Sequence, residues 1–298
     1  MAFNVQALVG AAIYELHNGN PFWVVGMVGL GIPPNHRLKS RGALQHGATD
    51  DGYLADERIL GLSLASIGTD RATADGHRDT LRAIFKPQQS TPTRIRVTRE
   101  DGQVRQLDVH AAGPVDMPQT RDQRMGPLQL LLVQMEAAQP LWYDPALVNT
   151  VFLTVIGGTE GWQIPALMPW DQQGGDIINV RETFHYAGDA PAYPEIIITG
   201  PADNPVITNE TTGETLTFTG SVPALDTWTV TISDNSADVT NAAGDSVLEY
   251  LSDDSDLGTF HLDPDLNGGD NDITVEILTG ATGATRVRLR YYTRYFGL

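Results

Sequence analysis

The 298-residue chain contains no cysteine, which excludes disulfide bonds and thiolate-ligated zinc. It has no apolar run close to the roughly 20 residues that cross a bilayer as a helix, so we expect no membrane insertion. The opening stretch, MAFNVQALVGAAIYELHNGN, lacks a basic start and carries Asn, Gln and Glu, so we expect no signal peptide. These absences exclude disulfide-stapled domains and proteins that span a membrane as helices.

Basic residues are few and unevenly placed. The chain has 19 Lys and Arg against 37 Asp and Glu, which gives a net charge of −18. Up to Gln134 there are 14 basic and 13 acidic residues, whereas beyond it 5 basic residues face 24 acidic ones. Proteins that bind nucleic acid need the opposite sign, so we expect no stable nucleic-acid binding.

One helix is predicted in the first half, within TADGHRDTLRAIFKP. Leu81, Ile84 and Phe85 share one helical stripe, and His77 lies a turn earlier. Pro87 marks the end, because proline cannot continue a helix.

The segment TRIRVTREDGQVRQLDV predicts a β-hairpin whose register depends on its loop. A two-residue Asp-Gly turn would set Ile95 opposite Asp108 and mix apolar and polar residues on one face. A three-residue loop at 100–102, with Gly102 at positive φ, would pair Ile95 with Leu107 instead. We favour the longer loop because it keeps each face uniform.

Most remaining segments are predicted to be strands. GPLQLLLVQMEAAQPLWYDP begins with an apolar run that the flanking Pro127 and Pro140 favour as a buried strand over a helix. In the second half, short β-type segments separated by Gly, Pro, Asp and Asn indicate an antiparallel sandwich or jelly roll. They are TVFLTVIGG, DIINVRETFHYAG, EIIIT, ETLTFTG, TWTVTIS, SVLEYL, TFHL, DITVEILTG and TRVRLRYYTRYF.

The run YPEIIITGPADNPVITNETTGETLTFTG has a structural interpretation. Residues 195–199 predict a buried strand that Gly200-Pro201 ends, and Asn204-Pro205 precedes the next strand. Thr212-Gly213 predicts a hairpin turn.

No arrangement of residues predicts catalysis, and we expect no enzyme activity. The seven histidines are scattered, with no HExxH pattern or close pair, and no GxSxG or Walker-type loop occurs. His46 near Asp50 and Asp51 would allow acid–base or metal chemistry, but an ordered polar loop explains these residues better. A pair of carboxylates that cleaves glycosides remains an alternative, because the sequence does not give the distances between carboxyl groups.

The segment DPDLNGGDND contains the candidate metal ligands. Asp263, Asp265 and Asn267, followed by Gly268, match the start of a calcium loop, in which alternate oxygen ligands converge. The closing position is Thr274 instead of a bidentate Glu, and strands flank the segment instead of helices. A plain β-turn is the alternative, and apart from this candidate calcium ion we expect no cofactor.

Aromatic residues provide a second functional hypothesis. Trp162, Trp170 and Trp228 are candidates for a sugar-binding platform, and the C-terminal sandwich is a candidate for binding carbohydrate, although most aromatics in β-domains belong to a core or interface. A third hypothesis, a cell-wall hydrolase with a carbohydrate-binding domain, requires a pocket with converging carboxylates.

Over nearly its whole length the chain resembles the distal tail protein family of long-tailed phages of the siphovirus type. The first half carries, in order, NGNPFWVVGMVGLGIP, HGATDDGYLADERILGLSLASIGTD, a helix ending LRAIFKP, and RVTREDGQVRQLDVHAAGP. The second half carries AGDAPAYPEIIITGPADNPVITNETTGETL and ends ITVEILTGATGATRVRLRYYTRYFGL. The segment FHLDPDLNGGDNDI departs from the family, whose turn there is tighter.

The resemblance implies a mainly β protein with a ring-forming hub domain containing one helix at 1–143, a β-rich connecting segment at 144–190, and a galectin-like antiparallel β-sandwich at 191–298. It implies a virion structural protein without catalytic residues, assembled in the host cytoplasm and located at the distal end of the tail. Copies would form a homo-oligomeric, hexameric ring between the tail tube protein and the tail-associated hub protein or a fibre. The tape measure protein is a further candidate partner.

Overall fold

The computed structural model describes residues 3–17, 21–43, 45–87, 90–113, 115–117, 128–153, 176–233, 236–282 and 284–298. The chain divides into two compact units. Unit 1 comprises Met1–Pro145 and Tyr295–Leu298, and unit 2 comprises Ala146–Arg294. Unit 2 is therefore inserted between two parts of unit 1.

Unit 1 is an antiparallel β unit with one helix among its described residues. Its elements are β1 (Asn4–Val9), β2 (Ala12–Glu15), β3 (Phe22–Val28), β4 (Asn35–Ser40), β5 (Thr49–Ala55), β6 (Arg58–Ile67), α1 (Arg71–Ile84), β7 (Thr93–Thr98), β8 (Val104–Ala111), β9 (Leu128–Ala137) and β10 (Trp142–Leu153), which continues into unit 2. The strands follow the order β2-β1-β7-β8-β9-β6-β3, and β10 pairs with β8. In the part of the chain that the structure describes, β4 and β5 pair only with each other.

The helix forms where the apolar stripe predicted it. Asp70 caps its first turn, because the carboxylate accepts a hydrogen bond from the Thr73 amide at 2.8 Å. Leu81, Ile84 and Phe85 are buried in the core of unit 1. The predicted helix and its buried face are confirmed.

The β7–β8 hairpin confirms the three-residue loop. Ile95 pairs with Leu107, and both are fully buried. Gly102 has a φ of 84°, a left-handed conformation that residues with a Cβ rarely adopt. The glycine therefore fixes the loop length, and the loop length fixes which residues face the core.

Unit 2 is built from two antiparallel sheets. Its elements after β10 are β11 (Asp176–His185), β12 (Glu195–Thr199), β13 (Ala202–Asp203), β14 (Val206–Asn209), β15 (Glu214–Thr217), β16 (Ser221–Val222), β17 (Thr227–Ser233), β18 (Ser236–Thr240), β19 (Asp270–Ala281) and β20 (Arg286–Tyr295). One sheet contains β18-β17-β12-β20, and the other has the order β15-β14-β19-β13-β16, with β11 also on β19. Apolar side chains of both sheets form one core. The prediction of a mainly β, antiparallel protein is confirmed.

The segment around β12 follows its sequence signals. β12 ends at Thr199, immediately before Gly200-Pro201, and β14 begins directly after Asn204-Pro205. The β14–β15 hairpin turns at Thr212-Gly213, where Gly213 has a φ of 79°. The predicted strand and both turns are confirmed, whereas the two-residue strand β13 was not predicted.

Two predicted strands are wrong. SVLEYL instead contains a 3₁₀ turn at Leu248–Tyr250, in which the Leu251 amide donates to the Leu248 carbonyl at 3.0 Å. TFHL makes only an isolated bridge between Leu262 and Ala192. Both segments are β-type in composition, but they make only isolated bridges, such as Leu251 with Phe218, and the 3₁₀ turn interrupts SVLEYL before a continuous ladder can form. The predicted TVFLTVIGG strand lies within β10 up to residue 153, and its remainder is outside the described residues.

Candidate assembly surface

The β4–β5 hairpin is an exposed two-stranded ribbon. An ion pair joins Arg37 to Asp50 at 2.7 Å, and His36 Nε2 lies 2.9 Å from Asp56 Oδ2. Its apolar side chains face solvent, with Leu54 58% exposed. A lone two-stranded ribbon is marginally stable in water, so these residues form a candidate contact surface.

The hairpin also explains the residues considered for acid–base chemistry. Asp50 is the ion-pair partner of Arg37, and Asp51 is exposed on β5. His46 is exposed in the loop between β4 and β5. Their arrangement is that of a polar loop.

Strands β3, β6 and β9 present an apolar outer face. In their register, Ile67 lies opposite Leu128, Ser63 opposite Leu132, and Val28 opposite Gly61. We call this surface the open face; its exposed residues are Val28 (67%), Ile59 (50%), Ile67 (50%), Leu128 (40%) and Leu132 (48%). The predicted β9 strand is thus confirmed, but its residues alternate between core and surface. The polar Gln134 and Glu136 lie on the same face of β9. Grouped exposed apolar side chains are candidate contact sites between proteins.

One edge of β3 has no partner strand among the described residues. Among the described strands, β3 pairs only with β6. By contrast, the edge of β15 in unit 2 is covered, because Asp256 and Ser255 accept hydrogen bonds from the amides of Thr215 and Thr217 at 2.9 Å. An uncovered apolar edge is a template for pairing with another chain. In the described part of unit 1 the β3 edge therefore lacks the kind of cover that the β15 edge of unit 2 has.

Arg58 organises the segment between β3 and β4. Its side chain is 1% exposed and donates to four main-chain carbonyls: Gly29 at 2.7 Å, Gly31 at 2.5 Å, Pro140 at 2.6 Å and Phe296 at 2.6 Å. Burial lowers the Arg58 pKa to about 10, so the guanidinium stays charged at neutral pH. A buried cation needs such partners, because an unpaired charge in the interior is costly.

The three candidate calcium ligands lie in one turn before β19. Asp263 Oδ1 accepts from the amides of Asp265 and Leu266 at 2.7 and 2.6 Å, so this carboxylate caps the turn. Asn267 has a φ of 50°. Within the described ranges, no three His, Asp or Glu side chains are grouped to hold a metal. Calcium binding here stays a prediction, and the turn is closed by its own hydrogen bonds.

His261 joins two carboxylates beside this turn. Its Nδ1 lies 3.1 Å from Glu214 Oε1, and its Nε2 lies 3.6 Å from Asp263 Oδ2. The hydrogen bond to Glu214 raises the His261 pKa to about 9, against the opposing effect of burial. Burial alone would raise the pKa of Glu214, but the hydrogen bonds from the His261 side chain and backbone lower it.

This pair predicts a specific pH dependence of stability. The folded His261 pKa exceeds its ordinary value of 6.5, so the stabilisation is complete below about pH 6.5 and is lost as the pH rises through 9. We expect the free energy of unfolding to fall by on the order of 2–3 kcal/mol over that interval. Denaturant unfolding between pH 6 and 9.5 would measure it. A His261→Gln variant should lack this slope; an equal slope in both proteins would contradict the assignment.

The predicted sugar platform is not assembled as proposed. Trp228 is 2% exposed and stacks on Tyr250 with ring centroids 5.1 Å apart, so its indole belongs to the core of unit 2. The prediction that Trp228 belongs to a sugar platform was wrong, because side chains alternate along β17 and Trp228 lies on the side that faces the core. Trp162 and Trp170 lie outside the described residues.

No helix in the described part of the chain is long and apolar enough to span a membrane.

No protein-family model matches the chain, and no curated protein sequence matches it significantly. Solved structures do match. The crystal structure of the Dit protein (gp 19.1) of phage SPP1, described as a paradigm of hub adsorption apparatus in Gram-positive infecting phages, has a TM-score of 0.63 at 13% identity, with 99% of each chain covered. The chain has the Dit fold.

A second solved structure agrees with the Dit fold. A chain of the phage P2 baseplate, in its activated conformation with Ca, has a TM-score of 0.50 at 9% identity, with 98% of each chain covered. The resemblance to phage distal tail proteins is confirmed at the level of the fold.

Proposed function

We propose that this chain is a structural component of a phage tail tip, without enzyme activity, whose copies close into a ring at the distal end of the tail. The ring, of six copies, would join the tail tube to the baseplate hub or receptor-binding apparatus. The observation that carries the proposal is the open apolar face of unit 1 beside an uncovered β3 edge. The SPP1 Dit protein, a hub adsorption component, and the P2 baseplate chain support the location.

A ring needs two different surfaces on each copy, because cyclic closure is heterologous when more than two copies take part. Unit 1 offers two such surfaces: the exposed β4–β5 hairpin, and the open face with the edge of β3. In our proposal the hairpin of one copy covers the open face of the next. This contact would remove the exposed apolar side chains of both surfaces from water.

The acidic composition supports the same role. A net charge of −18 per copy is multiplied in a ring, and such a ring repels the phosphates of DNA. A tail component must let DNA pass without holding it. Duplex DNA retained by the assembled protein at physiological salt would contradict this part of the proposal.

A charge on the hairpin should abolish assembly. Leu54→Asp places a carboxylate at a position that is 58% exposed in one copy, so folding should be preserved while burial against a neighbour becomes unfavourable. We expect light scattering after size exclusion to show a ring of wild-type chains and monomers of the variant.

The matched control is Leu225→Asp, at a position of unit 2 that is 96% exposed. It adds the same charge and should leave the ring intact. Equal loss of assembly in both variants would show that net charge, and not the hairpin, is responsible.

A further inference from the structure

Residues Tyr295–Leu298 are held in unit 1 by two buried arginines. The Arg105 guanidinium lies 3.9 Å over the Tyr295 ring and donates to the Gly297 carbonyl, and its residue is only 8% exposed. Arg58 donates to the Phe296 carbonyl at 2.6 Å. Two cations thus bind three consecutive residues, and this segment is a fixed part of unit 1. We call it the clasp.

The clasp contacts the hairpin root, which we define as residues 29–34, between β3 and β4. The Leu298 amide donates to the Leu30 carbonyl at 3.0 Å. Arg58, which binds the clasp, also donates to the carbonyls of Gly29 and Gly31. At Gly29 the φ is 87° and an added Cβ would collide with the Ile59 carbonyl, so only glycine allows this turn. One side chain therefore ties the clasp to the root.

The clasp also contacts the hairpin itself. The Phe296 ring lies 6.0 Å from the Tyr53 ring on β5, at an interplanar angle of 54°. The base of the hairpin is closed by the Asp56 amide, which donates to the Pro34 carbonyl at 2.8 Å. The clasp thus touches both the segment that leads into β4 and the strand that leads back from it.

These contacts lie at the base of the hairpin. In the described part of the chain β4 and β5 have no third strand beside them, and the root and the Phe296–Tyr53 contact lie where the ribbon meets the rest of unit 1. We propose that the clasp is a positioning element that holds the β4–β5 hairpin in the orientation that binds the next copy. This inference rests on the proposed ring. A ribbon fixed in advance loses less conformational freedom on association than a mobile one.

The absence of cysteine allows a direct test in the full chain. Spin labels on Ser40→Cys, in β4, and Gln103→Cys, in the β7–β8 loop, report the hairpin direction within unit 1. In the Phe296→Ala variant we expect a broader distribution of distances between the two labels. We also expect the association constant between copies to fall on the order of tenfold, which corresponds to the free energy of one aromatic contact. Phe296→Trp should restore both. Tyr292→Ala, which removes an aromatic that is 45% exposed in β20, should change neither.

The outcomes separate the clasp from the ring. A distance distribution and association constant equal to those of the wild type in Phe296→Ala would overturn the clasp and leave the ring intact. Broadened distances in the variant, with a wild type that never associates, would uphold the positioning and overturn the ring. Thermal unfolding of Phe296→Ala at the wild-type temperature would show that the effect is not a loss of folding.

Discussion

Replacing Arg58 with methionine will lower the free energy of unfolding by about 4 kcal/mol, the largest effect that we expect from a single substitution. Methionine keeps an unbranched stem about as long as the arginine chain up to Nε, but it has no hydrogen-bond donors. Four carbonyls, at Gly29, Gly31, Pro140 and Phe296, would lose their partner. Each buried acceptor left without a hydrogen bond costs about 1–3 kcal/mol, and relaxation of the chain recovers part of the sum.

Denaturant unfolding of the purified variant measures this loss, and two controls interpret it. Arg58→Lys keeps the charge but cannot reach four carbonyls with one ammonium group, so most of the destabilisation should remain. Arg82→Met removes an arginine whose side chain is 62% exposed on α1, and should change stability by less than about 0.5 kcal/mol. If Arg58→Met were as stable as Arg82→Met, the four hydrogen bonds would contribute nothing.

Part of this arginine's role was visible in the sequence. In ERILGLSLASI, Arg58 has the same parity as Leu60, Leu62 and Leu64, which face the core. A strand with that alternation places Arg58 inward, and a buried arginine needs several acceptors. Its acceptors could not be found, because Phe296 is 238 positions away and main-chain carbonyls carry no signature in sequence.

In the rest of the molecule, too, features set by the local sequence could be predicted, and features set by distant contacts could not. The pairing of Ile95 with Leu107 could be predicted because one glycine sets the loop length. The prediction of a strand at SVLEYL was wrong, and the burial of Trp228 was not foreseen, because both depend on the segments that lie beside them in the fold. Those neighbours are set by pairings between distant parts of the chain. The open β3 edge was missed for this reason too: an edge is defined by a missing neighbour, and local sequence does not reveal it.

In unit 2 the largest expected loss follows from Asn271→Leu, about 3 kcal/mol. Asn271 is fully buried, and its amide donates to the carbonyls of Asp263 at 2.9 Å and Gly269 at 3.1 Å. Its Oδ1 accepts from the Asp263 amide at 3.0 Å. Leucine has a similar volume but satisfies none of these groups. Because the three bonds close residues 263–269 onto β19, hydrogen exchange should accelerate there as stability falls.

Asn271→Asp distinguishes the hydrogen bonds from the packing. Aspartate has the same shape but would present an oxygen to two carbonyls, so at neutral pH it should be as destabilising as leucine, and less so at acid pH, where a protonated carboxyl can donate. Asn267→Gly is the matched control in the same turn, since Asn267 has a φ of 50° that glycine adopts freely.

Calcium added to each protein tests the candidate ligands at once. A bound ion would raise the wild-type melting temperature, whereas a turn closed by Asn271 and the Asp263 cap needs no ion to keep its shape.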